Sequence, residues 1–355
     1  MTGTAGPGGA LHTPCSGPSL WRGGDLADRE EWTLRLSPHH LAELDTALWE
    51  ARGRDLTLLK LTAADFPLPT LAGELKRIAG TLEHGRGFAI VKGLPVEQLG
   101  ESAASMVFWG LGQHLGRPVP QNADGHMLGH VRDTGRSLTD PATRGYQTRA
   151  ALPFHTDGAD LLALLCLRAP RTGGRTSLVS AAAVHNAVLS LCPDLAERMY
   201  RPYCFDRRQE HPPEEPPYTA APLAARLPGG ALSMRYNRCY LESAQRFPQV
   251  PRLEPADLEL FDLIDDVAGS PQCRLDIDLQ VGDLLLLNTH TIMHAREQFE
   301  DHDQPELKRH LLRLWLNVPH RPSTGGARGG VTPRDVIRPR NTASQAGTNP
   351  RRLPT

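Results

Sequence analysis

Residues 152–157 read Leu-Pro-Phe-His-Thr-Asp. Residues at positions i and i+2 of a β-strand point to the same face, so His155 and Asp157 can present an imidazole nitrogen and a carboxylate oxygen to one ion. Pro153 and Gly158 flank the pair and place it at a strand end. Because His-x-Asp is common by chance, the pair predicts a metal site only if a third ligand joins it.

The segment from Asn288 to Arg296 offers two histidines as that third ligand. His294 follows the apolar strand predicted at 284–287 after a short polar stretch, so it also lies at a strand end. Two histidines and one carboxylate leave coordination positions open, and this ligand set suits non-haem Fe(II) oxygen chemistry. His290 is the main alternative to His294, and the weaker alternatives are His126, His130 and His185.

Two arginines follow in the segment 308–316. Arg309 and Arg313 are four residues apart on a predicted strand and therefore share a face, while leucines occupy the other face. An inward-facing arginine is costly to bury unless it meets an anion, and its planar guanidinium pairs bidentately with a carboxylate. The pattern favours a dicarboxylate held beside the metal. The alternative is that both arginines form surface salt bridges, with Glu297 or Glu306 as partners.

Composition excludes several classes of protein. The chain has 355 residues and a net charge of −1, so it presents no overall field for nucleic acid or an anionic membrane. No apolar run approaches the length of a membrane span, and residues 1–19 lack the basic and apolar regions of a secretory signal. The six cysteines show no C-x-x-C spacing, which predicts reduced thiols in the cytoplasm. We expect a cytoplasmic protein with a small-molecule partner, and no pattern predicts its oligomeric state.

Three segments are expected along the chain: a disordered segment at 1–20, one folded domain at 21–320, and a disordered basic tail at 321–355. Early helices followed by separated strands predict an α+β fold with a closed or sandwich-like β core. The predicted helices lie at about 37–53, 70–83, 101–115, 184–199 and 255–268. The predicted strands lie at about 87–94, 161–167, 273–280, 284–287 and 310–318.

These motifs resemble those of the taurine dioxygenase/clavaminate synthase-like family of Fe(II)- and 2-oxoglutarate-dependent oxygenases. The resemblance extends over roughly 85–320 and is strongest at 144–180 and 281–316. It implies a double-stranded β-helix, a jelly roll of the cupin type, with flanking helices. It also implies that the iron ligands are His155, Asp157 and His294, and it selects His294 over His290.

The same resemblance implies roles for further residues. Thr176 ends a Gly-Gly-x-Thr segment, whose threonine contacts 2-oxoglutarate in the family. Arg309 falls where the family binds the distal carboxylate of 2-oxoglutarate, and Arg313 where some members bind an anionic substrate or support the first arginine. Candidates for the substrate pocket are Arg313, Tyr146, Gln147, Tyr236 and Arg238. The last two are predicted to share a strand face, and they are equally well explained as a core aromatic residue and a sheet-edge charge.

The implied activity is that of a dioxygenase that uses Fe(II), 2-oxoglutarate and O2 and releases succinate and CO2. Asp157 stands where halogenating relatives have a small residue, so hydroxylation, desaturation or ring formation is favoured over halogenation. The arginines suit a small carboxylate-bearing or amino-acid-like metabolite, of the kind found in secondary metabolism, that is hydroxylated at an aliphatic C–H. A zinc-dependent hydrolase and a non-enzymatic β-barrel ligand-binding protein, each using the same three residues, are the alternatives.

Overall fold

The computed structural model of the chain describes residues 13–27, 30–140, 142–227 and 230–318. Its helices are α1 (Gly23–Leu26), α2 (Pro38–Gly53), α3 (Leu71–His84), α4 (Val96–Gln113), α5 (Ala181–Leu191), α6 (Pro193–Arg198), α7 (Arg238–Ser243) and α8 (Pro255–Gly269). Its strands are β1 (Thr33–Arg35), β2 (Phe88–Lys92), β3 (Arg117–Pro118), β4 (Leu128–Val131), β5 (Leu152–His155), β6 (Leu161–Arg168), β7 (Thr172–Gly173), β8 (Thr176–Ser180), β9 (Pro202–Asp206), β10 (Tyr218–Pro222), β11 (Ala224–Arg226), β12 (Leu232–Met234), β13 (Leu275–Ile277), β14 (Leu284–Asn288), β15 (Ile292–Arg296), β16 (Phe299–Glu300) and β17 (His310–Asn317).

The larger sheet has the strand order β1-β2-β14-β6-β17-β3, and β4 also pairs with β17. Its central strands, β14, β6 and β17, pair antiparallel and are rich in leucine because both of their faces are covered. On β17, Leu312 and Leu314 pack in the cluster that contains the apolar faces of α2, α3 and α4. Leu311 and Trp315 point to the opposite face, into the space between the sheets.

The smaller sheet has the strand order β13-β8-β15-β5, and all of its pairs are antiparallel. Leu178 of β8 and Leu275 of β13 share one core cluster with Leu285 and Trp315 of the larger sheet, so the two sheets face each other. Helices α5 and α8 cover the outer side of the smaller sheet. Two facing sheets, antiparallel except for the parallel pair β1–β2, form with their flanking helices the α+β double-stranded β-helix expected from the sequence.

Some predicted element boundaries were wrong. The single helix expected at 184–199 is two helices, α5 and α6, which meet at Cys192 with φ −144° and ψ 80°. The residue before a proline is disfavoured in the helical region, so Pro193 ends α5. The strand expected at 273–280 is reduced to β13, because Cys273 belongs to the turn after α8, where its N–H donates to the Ser270 carbonyl oxygen, and residues 278–280 are irregular before the turn at 281–282.

The N-terminal residues 13–20 are packed against the domain. Cys15 is buried, and its backbone N–H donates to the Asn186 side chain of α5 across 2.6 Å. This differs from the disorder expected for residues 13–20. Residues 1–12 and the expected tail at 321–355 lie outside the described residues. No helix in the described ranges is long and apolar enough to cross a bilayer.

Candidate active site

The structure brings His155, Asp157 and His294 together at the end of the smaller sheet. His155 on β5 lies directly opposite His294 on β15, and their ring centroids are 4.3 Å apart. His155 Nε2 lies 4.0 Å from Asp157 Oδ1. One ligand atom from each of the three residues lies within 4.8 Å of the other two, so a single metal ion can contact all three.

Neighbouring groups hold the His155 and Asp157 side chains in the orientation that a metal site requires. His155 Nδ1 lies 2.8 Å from the carbonyl oxygen of Pro153 and donates to it, which leaves the Nε2 lone pair facing Asp157. Trp315 Nε1 donates to Asp157 Oδ2 across 3.1 Å. His294 Nδ1 is buried, and no described residue forms a hydrogen bond with it. Two imidazole nitrogens and one carboxylate oxygen form a set of ligand atoms that fits Fe(II).

Neighbouring charges at Asp157 and burial at His294 favour the protonation states that bind a metal. Burial by itself would raise the pKa of Asp157, but Arg313, the two histidines and the Trp315 hydrogen bond hold that pKa below its ordinary value. Burial lowers the pKa of His294 to about 3. An ionised carboxylate and a neutral imidazole are the ligating forms.

Of the four buried arginines that line the same cavity as the three potential ligands, three lie on or next to the strands β15 and β17: Arg296, Arg309 and Arg313; the fourth is Arg144. Arg309 Nη1, Arg313 Nη2, and both Nε and Nη1 of Arg296 are buried without a hydrogen-bond partner among the described residues. Burial lowers the pKa of Arg296 to about 9 and that of Arg309 to about 10. Buried donors without acceptors are costly, so these groups fit an anionic ligand such as a dicarboxylate.

The sequence pattern did not single out Arg296. Its guanidinium donates to the carbonyl oxygens of Thr148 and Ala150, and it lies 4.9 Å above the Phe299 ring. The sequence could have indicated Arg296 through its position two residues after His294, because residues i and i+2 of a strand share a face.

The residues expected to bind 2-oxoglutarate lie together at one side of the cavity. Thr176 on β8 pairs with Arg296 on β15. Gly174 has a φ of +76°, and a Cβ atom there would lie 3.4 Å from Arg309 Nε, so the Gly-Gly-x-Thr segment passes directly against Arg309. The Arg309 guanidinium carbon lies 4.9 Å from the centroid of the Phe299 ring.

Arg313 is held from three sides beside the potential metal ligands. Its guanidinium carbon lies 4.5 Å from the ring centroid of Tyr146 and 4.8 Å from that of Trp315. Its Nε donates to Gln121 Oε1 across 2.6 Å. Trp315 also donates to Asp157, so Arg313 and the metal face share one neighbour. The aromatic rings and Gln121 therefore set the direction in which the remaining guanidinium N–H groups point.

The other substrate-pocket candidates differ in their placement. Tyr146 lines the cavity. Gln147 is not among the residues that line it, and its side-chain oxygen accepts a hydrogen bond from the backbone N–H of Arg144. Gln147 therefore closes its own 3-10 turn, Gly145–Gln147, instead of facing a substrate.

The prediction that Tyr236 and Arg238 share a strand face was wrong. Strand β12 ends at Met234, and Arg238 begins α7 after an Asn237 cap. Both residues border the cavity, but the Tyr236 hydroxyl donates to Asp265. Arg238 pairs with three carboxylates, those of Glu242, Asp262 and Asp265. These contacts support a structural role for Tyr236 and Arg238 and not a role in substrate binding.

The alternative histidines are occupied elsewhere. His290 Nε2 lies 3.0 Å from an Asp160 oxygen, away from the metal face. His130 approaches His310 and Glu101 on the helix-facing side of β17, which is a second group of potential metal ligands. An Arg168 nitrogen lies 2.9 Å from His310 Nδ1 and donates to it. The positive charge of this guanidinium would repel a metal ion at the same place. We therefore infer that Glu101, His130 and His310 form a hydrogen-bonded group and not a metal site.

Comparison with known proteins agrees with this geometry. The family model described as "Taurine catabolism dioxygenase TauD, TfdA family" matches residues 52–315. FR-33289 synthase of Streptomyces rubellomurinus is 33% identical over 315 residues, which cover 87% of this chain and 91% of that protein. The taurine hydroxylase-like protein SAT17 of Stachybotrys chartarum is 28% identical over 302 residues, covering 83% and 77% respectively.

Solved structures show the same fold. Asparagine oxygenase in complex with Fe(II), 3-hydroxyasparagine and succinate superposes with a TM-score of 0.61 at 17% identity, covering 83% of this chain and 98% of that chain. The non-haem iron oxygenase OrfP with Fe, succinate and (3S)-hydroxy-L-Arg superposes with a TM-score of 0.60 at 16% identity, covering 80% and 94%.

The double-stranded β-helix expected from the sequence is thus confirmed, and the zinc-hydrolase and non-enzymatic alternatives are set aside by the family match. The potential metal ligands and the buried arginines all fall within the matched residues 52–315. The chain belongs to the taurine catabolism dioxygenase TauD, TfdA family and is a 2-oxoglutarate-dependent non-haem iron oxygenase.

Proposed function

We propose that this oxygenase hydroxylates an aliphatic C–H bond of a small carboxylate-bearing or amino-acid-like metabolite. The observation that carries the proposal is a single cavity of about 510 Å³ that holds both the three-residue metal face and the buried guanidinium groups of Arg296, Arg309 and Arg313, each with an N–H that has no partner among the described residues. A cavity of this size suits a small ligand together with a cosubstrate.

In this proposal His155, Asp157 and His294 hold Fe(II), while Arg309 and Thr176 bind 2-oxoglutarate. Bound iron and 2-oxoglutarate supply the oxidising chemistry together with O2. Arg309 pairs with the distal carboxylate of the cosubstrate and thereby aligns it in the cavity. Arg296, whose guanidinium carbon lies near the same Phe299 ring as that of Arg309, adds positive charge at that end. Trp315 keeps the Asp157 carboxylate directed at the metal.

Arg313 is proposed to bind an anionic group of the substrate and so to position the reacting C–H beside the metal face. Its aromatic and Gln121 contacts hold the guanidinium in place before the substrate arrives, which reduces the entropy lost on binding. In the same fold, asparagine oxygenase holds 3-hydroxyasparagine and OrfP holds hydroxy-L-Arg, which supports an amino-acid-like substrate. Six unpaired cysteines are consistent with the cytoplasm, and that location stays a prediction.

The test is an anaerobic titration of the metal-free protein with Fe(II) and then 2-oxoglutarate, followed by visible spectroscopy. We expect a weak charge-transfer band in the wild type, because the keto acid chelates the iron. His155→Ala should abolish it through loss of metal, and Arg309→Ala should shift it to much higher 2-oxoglutarate concentrations. A wild-type protein that binds iron without developing the band would contradict the proposed roles of these residues.

A further inference from the structure

Two segments that carry none of the proposed iron ligands contribute charged residues to the lining of the cavity. The first is segment 142–148, which precedes β5, and the second is the loop 207–217 between β9 and β10. Arg144 from the first segment lines the cavity, as do Arg208 and Glu210 from the second. Nothing in the proposed function uses these three charged residues.

The Arg144 side chain is 8% exposed, and its Nη1 donates to Glu210, so one ion pair joins the two segments. Its Nε is buried and has no hydrogen-bond partner in the described part of the chain. The guanidinium carbon lies 5.4 Å from the ring centroid of Tyr240. Glu210 therefore occupies one edge of this guanidinium and leaves another edge open.

Arg208 approaches the same ring, with its guanidinium carbon 5.8 Å from the Tyr240 centroid. Its Nη2 donates to the carbonyl oxygen of Thr143 across 2.8 Å, which ties the loop 207–217 to the facing segment. Its Nε is buried without a partner among the described residues, and none of their carboxylates lies within ion-pairing distance of this side chain. Two guanidinium groups thus lie near one aromatic ring, and within the described ranges Glu210 is the one carboxylate that forms an ion pair with either of them.

The backbone of the loop is held in an unfavourable conformation. Arg208 has a φ of +52° and Gln209 has a φ of +62°, which places two successive non-glycine residues in the left-handed region. Such residues persist when surrounding contacts enforce them, and they cluster at ligand-binding segments. The Arg144–Glu210 ion pair is one of those contacts, so its release would let the loop relax.

We propose that Arg144, Arg208 and Tyr240 form a second anion-binding subsite, and that the Glu210 carboxylate occupies this subsite until an acidic group of the substrate displaces it. We call these three residues the distal subsite. The proposal rests on the proposed function, since it assigns Arg313 to the other end of the same substrate. The substrate is then a small molecule with two anionic groups, one at Arg313 and one at the distal subsite.

The chemistry of the subsite favours an acid over a neutral polar group. A neutral amide cannot replace the charge of Glu210 on Arg144, and it would leave the partly buried guanidinium of Arg208 without a counter-ion. A carboxylate or a phosphonate satisfies both guanidinium groups through charge-assisted hydrogen bonds. The test therefore compares ligands that differ only in their distal group.

The experiment is anaerobic titration calorimetry on the full chain loaded with Fe(II) and saturating 2-oxoglutarate. The probes are L-glutamine, L-glutamate and L-2-amino-4-phosphonobutyrate, which share a backbone and carry a neutral, a carboxylate and a phosphonate end. We expect both acids to bind at least about tenfold more tightly than glutamine, as charge-assisted hydrogen bonds predict. The tighter of the two acids identifies the anionic group that the subsite prefers.

Three variants separate a binding role from a structural one. Arg208→Gln should remove the preference for acids, while Arg207→Gln, a neighbour already paired with Glu215, should retain it. Glu210→Gln should strengthen the binding of both acids roughly tenfold without affecting glutamine, because the displaced carboxylate is gone. Equal or absent binding of the acids in the wild type, or weaker binding in Glu210→Gln, would overturn the proposal.

The charge-transfer band recorded on the same samples separates this proposal from the proposed function. Arg208→Gln and Glu210→Gln should keep the band, because neither residue belongs to the proposed iron or 2-oxoglutarate sites. A wild-type protein with the band but no preference for acids would reject the distal subsite alone. A wild-type protein without the band would instead reject the iron and 2-oxoglutarate assignments.

Discussion

His155 and His294 are paired directly opposite each other on the antiparallel strands β5 and β15, with ring centroids 4.3 Å apart. The pairing is irregular one step further on, where Arg296 is opposite Leu152. Because a slip of one residue would turn every side chain of a strand to the other face, this register keeps the His294 side chain on the same face as His155. His290 lies before β15 and hydrogen-bonds to Asp160 instead.

The first prediction concerns the metal face. His294→Ala removes one of three proposed ligands and should weaken Fe(II) binding by roughly 100-fold or more, since even partners of ligands contribute about 10- to 100-fold. The measurement is anaerobic competition with a chromogenic chelator. His126→Ala, an exposed histidine in a loop, is the control and should bind iron like the wild type. Unchanged iron affinity in His294→Ala would rule out this residue as a ligand.

The second prediction separates the two arginines of the segment 308–316. Arg309→Ala should weaken 2-oxoglutarate binding by about 10- to 100-fold, because a charge-assisted, bidentate contact is lost. Arg309→Lys should recover only part of it, since an ammonium group lacks the planar fork. Titrating the charge-transfer band with 2-oxoglutarate measures both effects. Arg313→Ala should change this affinity far less, and an equal loss would show that Arg313 supports Arg309.

The third prediction tests the hydrogen bond from Trp315 to Asp157. Trp315→Phe keeps an aromatic ring beside Arg313 but removes the Nε1 donor, so iron affinity should fall by about tenfold or more. Trp109→Phe is the matched control, because its Nε1 donates to the Leu61 carbonyl oxygen within the helical side of the core. That variant should lower the unfolding temperature and leave iron affinity unchanged. The same loss of iron in both variants would argue against a specific role for Trp315.

The fourth prediction concerns stability and pH. Glu43 of α2 accepts hydrogen bonds from the backbone N–H groups of Thr70 and Leu71 at the start of α3. Burial by itself would raise the pKa of Glu43, but these hydrogen bonds and that of the Thr70 hydroxyl lower it below its ordinary value. The ionised form is therefore stabilising above the ordinary glutamate pKa, and this contribution is lost as the pH falls through the lowered, folded-state pKa.

Glu43→Gln should accordingly lower the free energy of unfolding by about 1–2 kcal/mol at pH 7, the range of a lost helix cap. The difference from the wild type should shrink as the pH falls below about 4, because a protonated glutamate resembles glutamine. Urea denaturation at several pH values measures it. Glu50→Gln, an exposed position on the same helix, should have little effect at any pH. A difference independent of pH would show that charge is not involved.

The sequence predicted the β core well because the relevant signals are local. The leucine runs of β6 and β14 are apolar on both faces, as buried strands require. The His-x-Asp pair does come together, but not on one strand as predicted, because β5 ends at His155 and Asp157 follows it. The prediction of a strand through Tyr236 was wrong, and the cause is again a local interaction. The Asn237 side chain accepts a hydrogen bond from the Tyr240 backbone N–H and thereby starts α7.

By itself the sequence determined the residue types that can hold iron and a dicarboxylate, and the strands that carry them, since both depend on neighbours in the chain. Only the tertiary structure decided that His294 lies opposite His155, that Arg296 is buried in the same cavity, and that segment 142–148 meets the loop 207–217. The reason is that strand register, burial and ion pairing are set by contacts between residues far apart in the chain. Such contacts form only when the two sheets and the loops around the cavity pack together.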